Sequence, residues 1–363
     1  MISNSPNAAP AGPALQALDL KNFTAFASAN LTFAPALNVV IGENGTGKTH
    51  LLKLAYAGLD VCRRQRAPSE RPTKAVLANT VAAKLQGVFR PDQLGRLVRR
   101  SSRPGRQRAE VKLTFHETGQ LAFAFNTSSK QDVVVDKVPS AWMEKPPVYL
   151  PTRELLSIYP SFVSLYETSA LEFDETWRDT CLLLGAPLAR GPRLTRIKQL
   201  LSPLETAMGG AIELTPGGRF YLNSDGASVE MHLVAEGLRK LAMIARLIAT
   251  GALLDQGTLF WDEPEANLNP AVIKLVARTI LHLCQAGIQV FVATHSLFLL
   301  REFDILLQGP EFAGLSSQFI GLVKSGGEVA LHQGPTVTDA GDLTVLQEEL
   351  QQSDRYLKLE AAE

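Results

Sequence analysis

Apolar and polar positions divide the chain into two stretches of alternating strand and helix, separated by a middle of different character. Leu15, Ala17 and Leu18 lead into Leu20-Lys21-Asn22-Phe23, followed by Leu31, Phe33 and the run Leu37-Asn38-Val39-Val40-Ile41. That last run is short, β-branched and uninterrupted, which predicts a strand covered on both faces. It stops at Gly42, and from Lys48 to about Leu59 the apolar spacing becomes helical. Ala109–Phe115 and Gln120–Asn126 alternate around Glu117-Thr118-Gly119, a hairpin pattern. Val133–Val135 and Val148–Leu150 read as further strands. Residues 155–208 read as mostly helical, with breaks at Pro160, Gly185-Ala186-Pro187 and Gly191-Pro192. Ile212–Leu214 and Phe220–Leu222 flank a second turn. Helix and strand then alternate through Glu236–Ala249, Thr258–Trp261, Pro270–Cys284 and Ile288–Ala293. Short strands follow near Phe319–Val323 and Glu328–Leu331, before an acidic, helix-prone tail. No internal repeat and no sustained heptad is visible. The pattern predicts an α/β sheet split in sequence, with insertions between its halves.

Composition sharpens this picture in three places. Apolar residues make up 45% of 363, enough for a sizeable core, which excludes a disordered or fibrous chain. Lys+Arg and Asp+Glu both total 36, yet residues 60–110 hold thirteen Lys/Arg against four acids, so that segment alone is strongly basic. Cys62, Cys181 and Cys284 are odd in number and form no CxxC, which fits a reducing cytoplasm. Met1–Pro13 reads as a loose tail, not a signal peptide. The apolar stretch Leu238–Leu254 is interrupted by Arg239, Lys240 and Arg246, so no membrane span is expected.

Three strand ends carry candidate chemistry. Gly42-Glu43-Asn44-Gly45-Thr46-Gly47-Lys48-Thr49 matches G-x-x-x-x-G-K-[ST], placed after a buried strand and before a helix. Glycines let the backbone curl so that successive N–H groups face phosphate oxygens, and the helix start adds a positive dipole end. Lys48 would reach the β- and γ-phosphates and Thr49 would place its hydroxyl on Mg²⁺; His50 follows directly. The bland alternative is a chance match in a glycine-containing turn. Thr258–Trp261 delivers Asp262 and Glu263 at a strand's C-terminal end, where α/β sheets place ligands. Asp262 would hold Mg²⁺ through water and Glu263 would polarise the attacking water; an acidic helix cap is the alternative. Val290–Ala293 ends in Thr294-His295-Ser296. His295 would bond the γ-phosphate and the attacking water, unless Thr294 or Ser296 merely caps a helix.

Val234-Ala235-Glu236-Gly237-Leu238-Arg239-Lys240 opens a helix some 20 residues before the Asp262 strand. Together the set resembles ABC-type ATPases, and within them the cytoplasmic RecF/SMC/OLD-like group. Lys21-Asn22-Phe23 with the following strand and phosphate loop is similar to the opening of those heads. Glu263-Pro264-Glu265-Ala266-Asn267-Leu268-Asn269-Pro270 resembles their Walker B end and D-loop, and His295 their switch histidine. Tyr149-Leu150-Pro151-Thr152-Arg153 sits where a Q-loop-like segment would follow an inserted lobe. The resemblance covers roughly 15–60 and 210–325. It implies a P-loop NTPase fold with an ABC-type head: a mixed sheet lobe, a helical lobe and an inserted basic segment. The implied organisation is a tail over 1–14, an ATPase core from 15–60 and 210–335, a basic lateral lobe with a hairpin over 61–150, a helical lobe over 151–209, and an acidic tail over 336–363. It also implies ATP and Mg²⁺ as ligands and a head-to-tail homodimer with composite sites. In such a dimer Ala235, Glu236 and Gly237 of one protomer would cap the γ-phosphate on the other's Lys48. The family has Ser-x-Gly where this chain has Ala235, so a hydroxyl donor is missing and slow hydrolysis is expected.

Arg96 to Arg108 would clamp a phosphate backbone or an acidic partner, or would be a solvated loop. Aromatic residues are nearly absent there, which disfavours stacking on single strands. By analogy, a head with no nuclease and no coiled coil resembles the ATPase half of bacterial anti-phage defence systems, gating a separately encoded effector. A DNA-repair or DNA-maintenance ATPase and an ATP-held scaffold of slow turnover are the alternatives.

Overall fold

The computed structural model describes residues 15–63, 71–100, 105–169, 171–254, 257–341 and 344–360. The expected tail over 1–14 lies outside them, as do Arg64, Arg66 and Arg103 of the basic segment. β1 (Leu15–Phe23) and β2 (Phe26–Thr32) form a hairpin, β3 (Leu37–Gly42) runs into the glycine-rich loop, and α1 (Lys48–Val61) starts directly after it. α2 (Lys74–Phe89), capped by the Thr73 side chain, precedes β4 (Arg108–Phe115), β5 (Gly119–Asn126), β6 (Val134–Lys137) and β7 (Val148–Leu150). The helical middle is α3 (Tyr159–Thr168), α4 (Glu175–Leu184) and α5 (Leu194–Met208), and α3 is broken by non-helical backbone at Pro160 and Ser161. β8 (Ala211–Leu214), β9 (Phe220–Ser224) and β10 (Ala227–Glu230) make a small meander. The C-terminal third is α6 (Glu236–Ala249), β11 (Thr258–Asp262), α7 (Pro270–Gln285), β12 (Gln289–Thr294), α8 (Leu297–Gln308), β13 (Ser317–Ser325), β14 (Glu328–Gly334) and α9 (Thr344–Glu360).

The central sheet has the order β14-β13-β3-β12-β11-β7, parallel except for β14 at one edge. β3, β11 and β12 are buried along their whole length, as continuous apolar runs require. Their side chains alternate between two cores. Leu37, Val39, Ile41, Leu259, Trp261, Val290 and Val292 face the helices α4 to α8. Val40, Phe260, Phe291 and Ala293 face α1 and the second sheet. Each fully buried aliphatic or aromatic side chain there contributes about 1.5–3 kcal/mol.

That second sheet is antiparallel, in the order β2-β1-β4-β5-β6. β4, β5 and β6 of the expected lateral lobe therefore share a sheet with the N-terminal strands, because β4 covers the edge of β1 from Phe115 back to Glu110, while β7 joins the central sheet. An alternating strand such as β1 leaves backbone donors and acceptors on both edges, and β4 satisfies the second row. The two sheets are joined by Gln289 of β12. Its side-chain amide accepts from Leu15 N at 2.9 Å and donates to the carbonyls of Leu15 and Ala34, both at 2.8 Å.

Charges tie the helical lobe to α1. Lys53 pairs with Asp174 at 2.8 Å, and the Tyr56 hydroxyl donates to Asp179 at 2.6 Å. The amine of Lys84, on α2, is buried within 2.7 Å of Asp60, 3.1 Å of Glu175 and 2.5 Å of Asp179. The basic character of residues 60–110 is thus partly spent inside the fold. Lys84 faces the interior, and Arg99 donates to the carbonyls of Ala25 and Gly327. The three cysteines are free and buried. Among the described residues no helix is long and apolar enough to cross a membrane.

Candidate nucleotide site

Adjacent strands bring the three candidate motifs together. β12 lies between β3 and β11 with Thr294 opposite Ile41 and Ala293 opposite Asp262, so all three chains leave the sheet at one edge. Gly42–Lys48 curls there before α1. Gly47 has φ of 97°, and a Cβ on it would sit 3.0 Å from the Phe26 ring. Both facts bar a side chain. Gly47→Ala is expected to abolish detectable nucleotide binding while leaving the fold in place. Titration with a fluorescent ATP analogue, alongside circular dichroism, checks this.

Lys48 is buried, and its amine donates to the carbonyls of Gly42 at 2.8 Å and Glu43 at 3.1 Å. Burial pushes its pKa down, and the nearby carboxylates of Glu263, Asp262 and Glu265 work against that. The Tyr149 hydroxyl lies 3.4 Å from Asp262 Oδ2, and the Thr49 hydroxyl is close enough to favour the charged Asp262 carboxylate. Burial holds the Asp262 carboxyl above its usual range, opposed by the Thr49 and Tyr149 hydroxyls. Asp262 Oδ1 is buried and has no partner. A hard cation with its water satisfies an oxygen of this kind, so Thr49 and Asp262 fit Mg²⁺.

Glu263 closes the β11 ladder through its N–H to Ala293 O at 2.8 Å, then turns into left-handed backbone with φ of 49°. Such a conformation costs a non-glycine residue about 1–3 kcal/mol and is kept where a site needs the side chain aimed. Here it aims the carboxylate at His295, whose Nδ1 lies 3.1 Å from Glu263 Oε1. Behind them the Thr294 hydroxyl donates to Glu265 Oε1 at 2.5 Å and accepts from Ser296 N at 3.0 Å. The capping alternative for this cluster is also realised, since Ser296 accepts from Leu299 N at the start of α8.

A cavity of about 500 Å³ opens over this edge, lined by Asn44, Gly45, Gly47, Lys48, Thr49, His50 and Glu263 on one side. Thr24, Ala25, Arg96 and Leu97 close the other. Ala235, Glu236 and Gly237 do not line it. They start α6, which touches the Ala266–Asn267 segment of the same chain, where Asn267 donates to Glu236 at 3.1 Å and Lys240 to the Ala266 carbonyl at 2.6 Å. The sequence gives Thr24 no role, places Tyr149 and Glu265 only within the Q-loop-like and Walker B-like segments, and places Arg96 only among the arginines expected to clamp a phosphate backbone or an acidic partner. Arg96 reaches the cavity because the turn at Ser129–Lys130 accepts the N–H groups of Gly95 and Leu94.

The family model described as "AAA domain, putative AbiEii toxin, Type IV TA system" matches residues 37–301. The DNA replication and repair protein RecF of Ligilactobacillus salivarius (strain UCC118) is 40% identical over 57 residues, which are 16% of this chain and 15% of that protein. Among solved structures, an Smc head bound to the C-winged helix domain of ScpA matches with a TM-score of 0.55 at 14% identity, over 90% of this chain and 99% of that one. The Smc head domain with an extended coiled coil from Pyrococcus furiosus, bound to the C-terminal domain of ScpA, gives 0.52 at 12% identity, over 95% and 99%. At these identities the likeness shows the fold, a P-loop head of the ABC type.

Proposed function

The chain belongs to the AAA_21 family of ABC-type, RecF/SMC-like ATPases, and from that premise we propose that it binds and slowly hydrolyses MgATP and switches conformation as two copies close on the nucleotide. The observation that carries this reading is the meeting of Lys48, Thr49, Asp262, Glu263 and His295 at one sheet edge beside a 500 Å³ cavity. The phosphates would replace the Gly42 and Glu43 carbonyls as partners of Lys48 and take the inward N–H groups of Glu43–His50. Magnesium bound at Thr49 and Asp262 would neutralise charge building on the β- and γ-phosphates. Glu263 would orient water toward the γ-phosphate, with His295 holding that carboxylate and bonding the same phosphate. Arg96 supplies a further cation at the cavity wall.

The composite part of the proposal rests on Ala235–Gly237 of a second copy reaching the γ-phosphate. Ala235 caps α6 without a side-chain hydrogen bond. A serine there would offer a hydroxyl worth about 1.5–3 kcal/mol against a charged oxygen. Ala235→Ser should therefore raise the steady-state rate of phosphate release at least several-fold. An unchanged rate would contradict this register, and absence of phosphate release from both chains would contradict the ATPase itself.

We read the biological role as the cytoplasmic ATPase of an anti-phage defence system that gates a separately encoded effector. The toxin–antitoxin wording of the family description supports an effector-linked role. Co-purification from the native host followed by mass spectrometry tests it. A DNA-repair ATPase is the second reading, favoured by the short RecF match and by the exposed Arg96 and Arg100 of the basic segment. DNA-stimulated ATP turnover that weakens steeply with salt would favour that reading over the first.

A further inference from the structure

β13 outruns its neighbour. Its parallel pairing with β3 ends at Leu322 opposite Gly42, while the strand itself continues to Ser325. Lys324 consequently stands beside the tip of the phosphate loop. Its amine donates to the Asn44 carbonyl at 2.8 Å, and the Cβ position of Gly45 lies 3.4 Å from the same nitrogen. Just beyond, Gly326 and Gly327 take φ of 57° and 81° and turn the chain into β14. This is the left-handed pair that a two-residue hairpin needs. The turn is gripped from outside the sheet. Arg99 Nη2 donates to the Gly327 carbonyl at 3.0 Å, and Glu328 lies 3.8 Å from the same guanidinium. Arg99 Nη1 donates to the Ala25 carbonyl at 2.6 Å. The hairpin tip and the β1–β2 turn thus flank the loop from two directions and share one arginine.

We propose that Lys324, held in place by Arg99, is a positioning residue that sets the Asn44–Gly45 peptide so that its N–H, that of Gly45, faces the phosphates of a bound nucleotide. The proposal rests on the ATP-binding reading above. In a loop that wraps an anion the N–H groups point inward and the carbonyls outward. An outward carbonyl left to water is free to flip its peptide, and a flipped peptide presents an oxygen to the anion. An ammonium on that carbonyl opposes the flip through a charge-assisted bond, and it leaves a second positive charge close to Lys48. An unrestrained surface lysine would contribute little, because ordering its side chain offsets the gain. The two hydrogen bonds from Arg99 restrain the flanking hairpin and β1–β2 turn, so part of that cost is already met in the folded chain.

The test compares wild type with Lys324→Met, Lys324→Arg and Arg99→Met in titrations with a fluorescent ATP analogue, together with hydrogen exchange of residues 43–47 without nucleotide. Lys324→Met should weaken binding about five- to tenfold and raise KM by a similar factor, with a much smaller fall in kcat. Its loop amides should exchange faster than those of wild type. Lys324→Arg should bind within about twofold of wild type. Arg99→Met should weaken binding less, and adding it to Lys324→Met should cause almost no further loss, because the two side chains act through one contact. Lys324→Met with wild-type affinity and exchange would overturn the proposal while leaving ATP binding by the wild type intact. A wild type that binds no nucleotide would overturn both readings.

Discussion

Glu263→Gln is expected to cut steady-state ATP hydrolysis by roughly 10²- to 10⁴-fold while nucleotide binding becomes tighter. The amide keeps the size of the carboxylate and suits the same left-handed backbone, so the loop at the end of β11 should be preserved. What would be lost is the charge proposed to orient and polarise water beside His295, 3.1 Å away. The same loss of charge removes a repulsion against the triphosphate, which is why affinity should rise. Phosphate release and analogue titration on one preparation check both halves. Turnover within threefold of wild type would mean that Glu263 does not face the attacking water.

The largest effect on stability is expected from Lys84→Met. Burial works against the charge of this amine, but Asp60, Asp179 and Glu175 hold its pKa above the ordinary lysine value. Removing it leaves three carboxylates around an apolar side chain, and one half of a buried pair left alone typically costs about 3–5 kcal/mol. Urea denaturation at pH 7 should show a loss of that order. The sign of its pH dependence follows from Glu175, whose carboxyl burial already pushes up, with Lys84 opposing. Without the lysine the folded state binds protons more readily than the unfolded chain. Stability is then gained as pH falls through the raised folded pKa toward the ordinary glutamate range. The deficit relative to wild type should therefore shrink between pH 7 and about 5. A constant deficit would mean that the lost energy is packing, not charge.

Lys84 also shows where the sequence stopped being legible. It lies in the most basic stretch of the chain, and composition made that stretch a candidate surface for anions. The partners that pull it inside, Glu175 and Asp179, are about 90 residues away on α4. No local pattern announces such a pairing. The same holds for Gln289, whose amide reaches Leu15 across 274 residues, and for Lys324, which meets Asn44 across 280. β4 and β5 form the hairpin that their alternation predicts, but β4 also pairs with β1, because alternation predicts a strand but not its second neighbour. The placement of the glycine-rich loop, Asp262–Glu263 and His295 at one sheet edge was legible for the opposite reason. Each sits at the C-terminal end of a buried apolar strand, and parallel strands of one sheet must release their loops on the same side. Tyr149 sits at the edge of that sheet too, on β7, but a strand of three residues carries too little pattern to mark its hydroxyl as a partner of Asp262.

The most direct test of the whole account is a crystal structure of the chain with Mg²⁺ and a non-hydrolysable ATP analogue. The γ-phosphate should lie within hydrogen-bonding distance, about 3 Å, of the Lys48 amine and the His295 ring. Glu263 should hold a water in line with that phosphate, and Ala235–Gly237 of a second copy should close the far side. A nucleotide bound elsewhere, or seated on the loop with Glu263 and His295 turned away from its third phosphate, would contradict it.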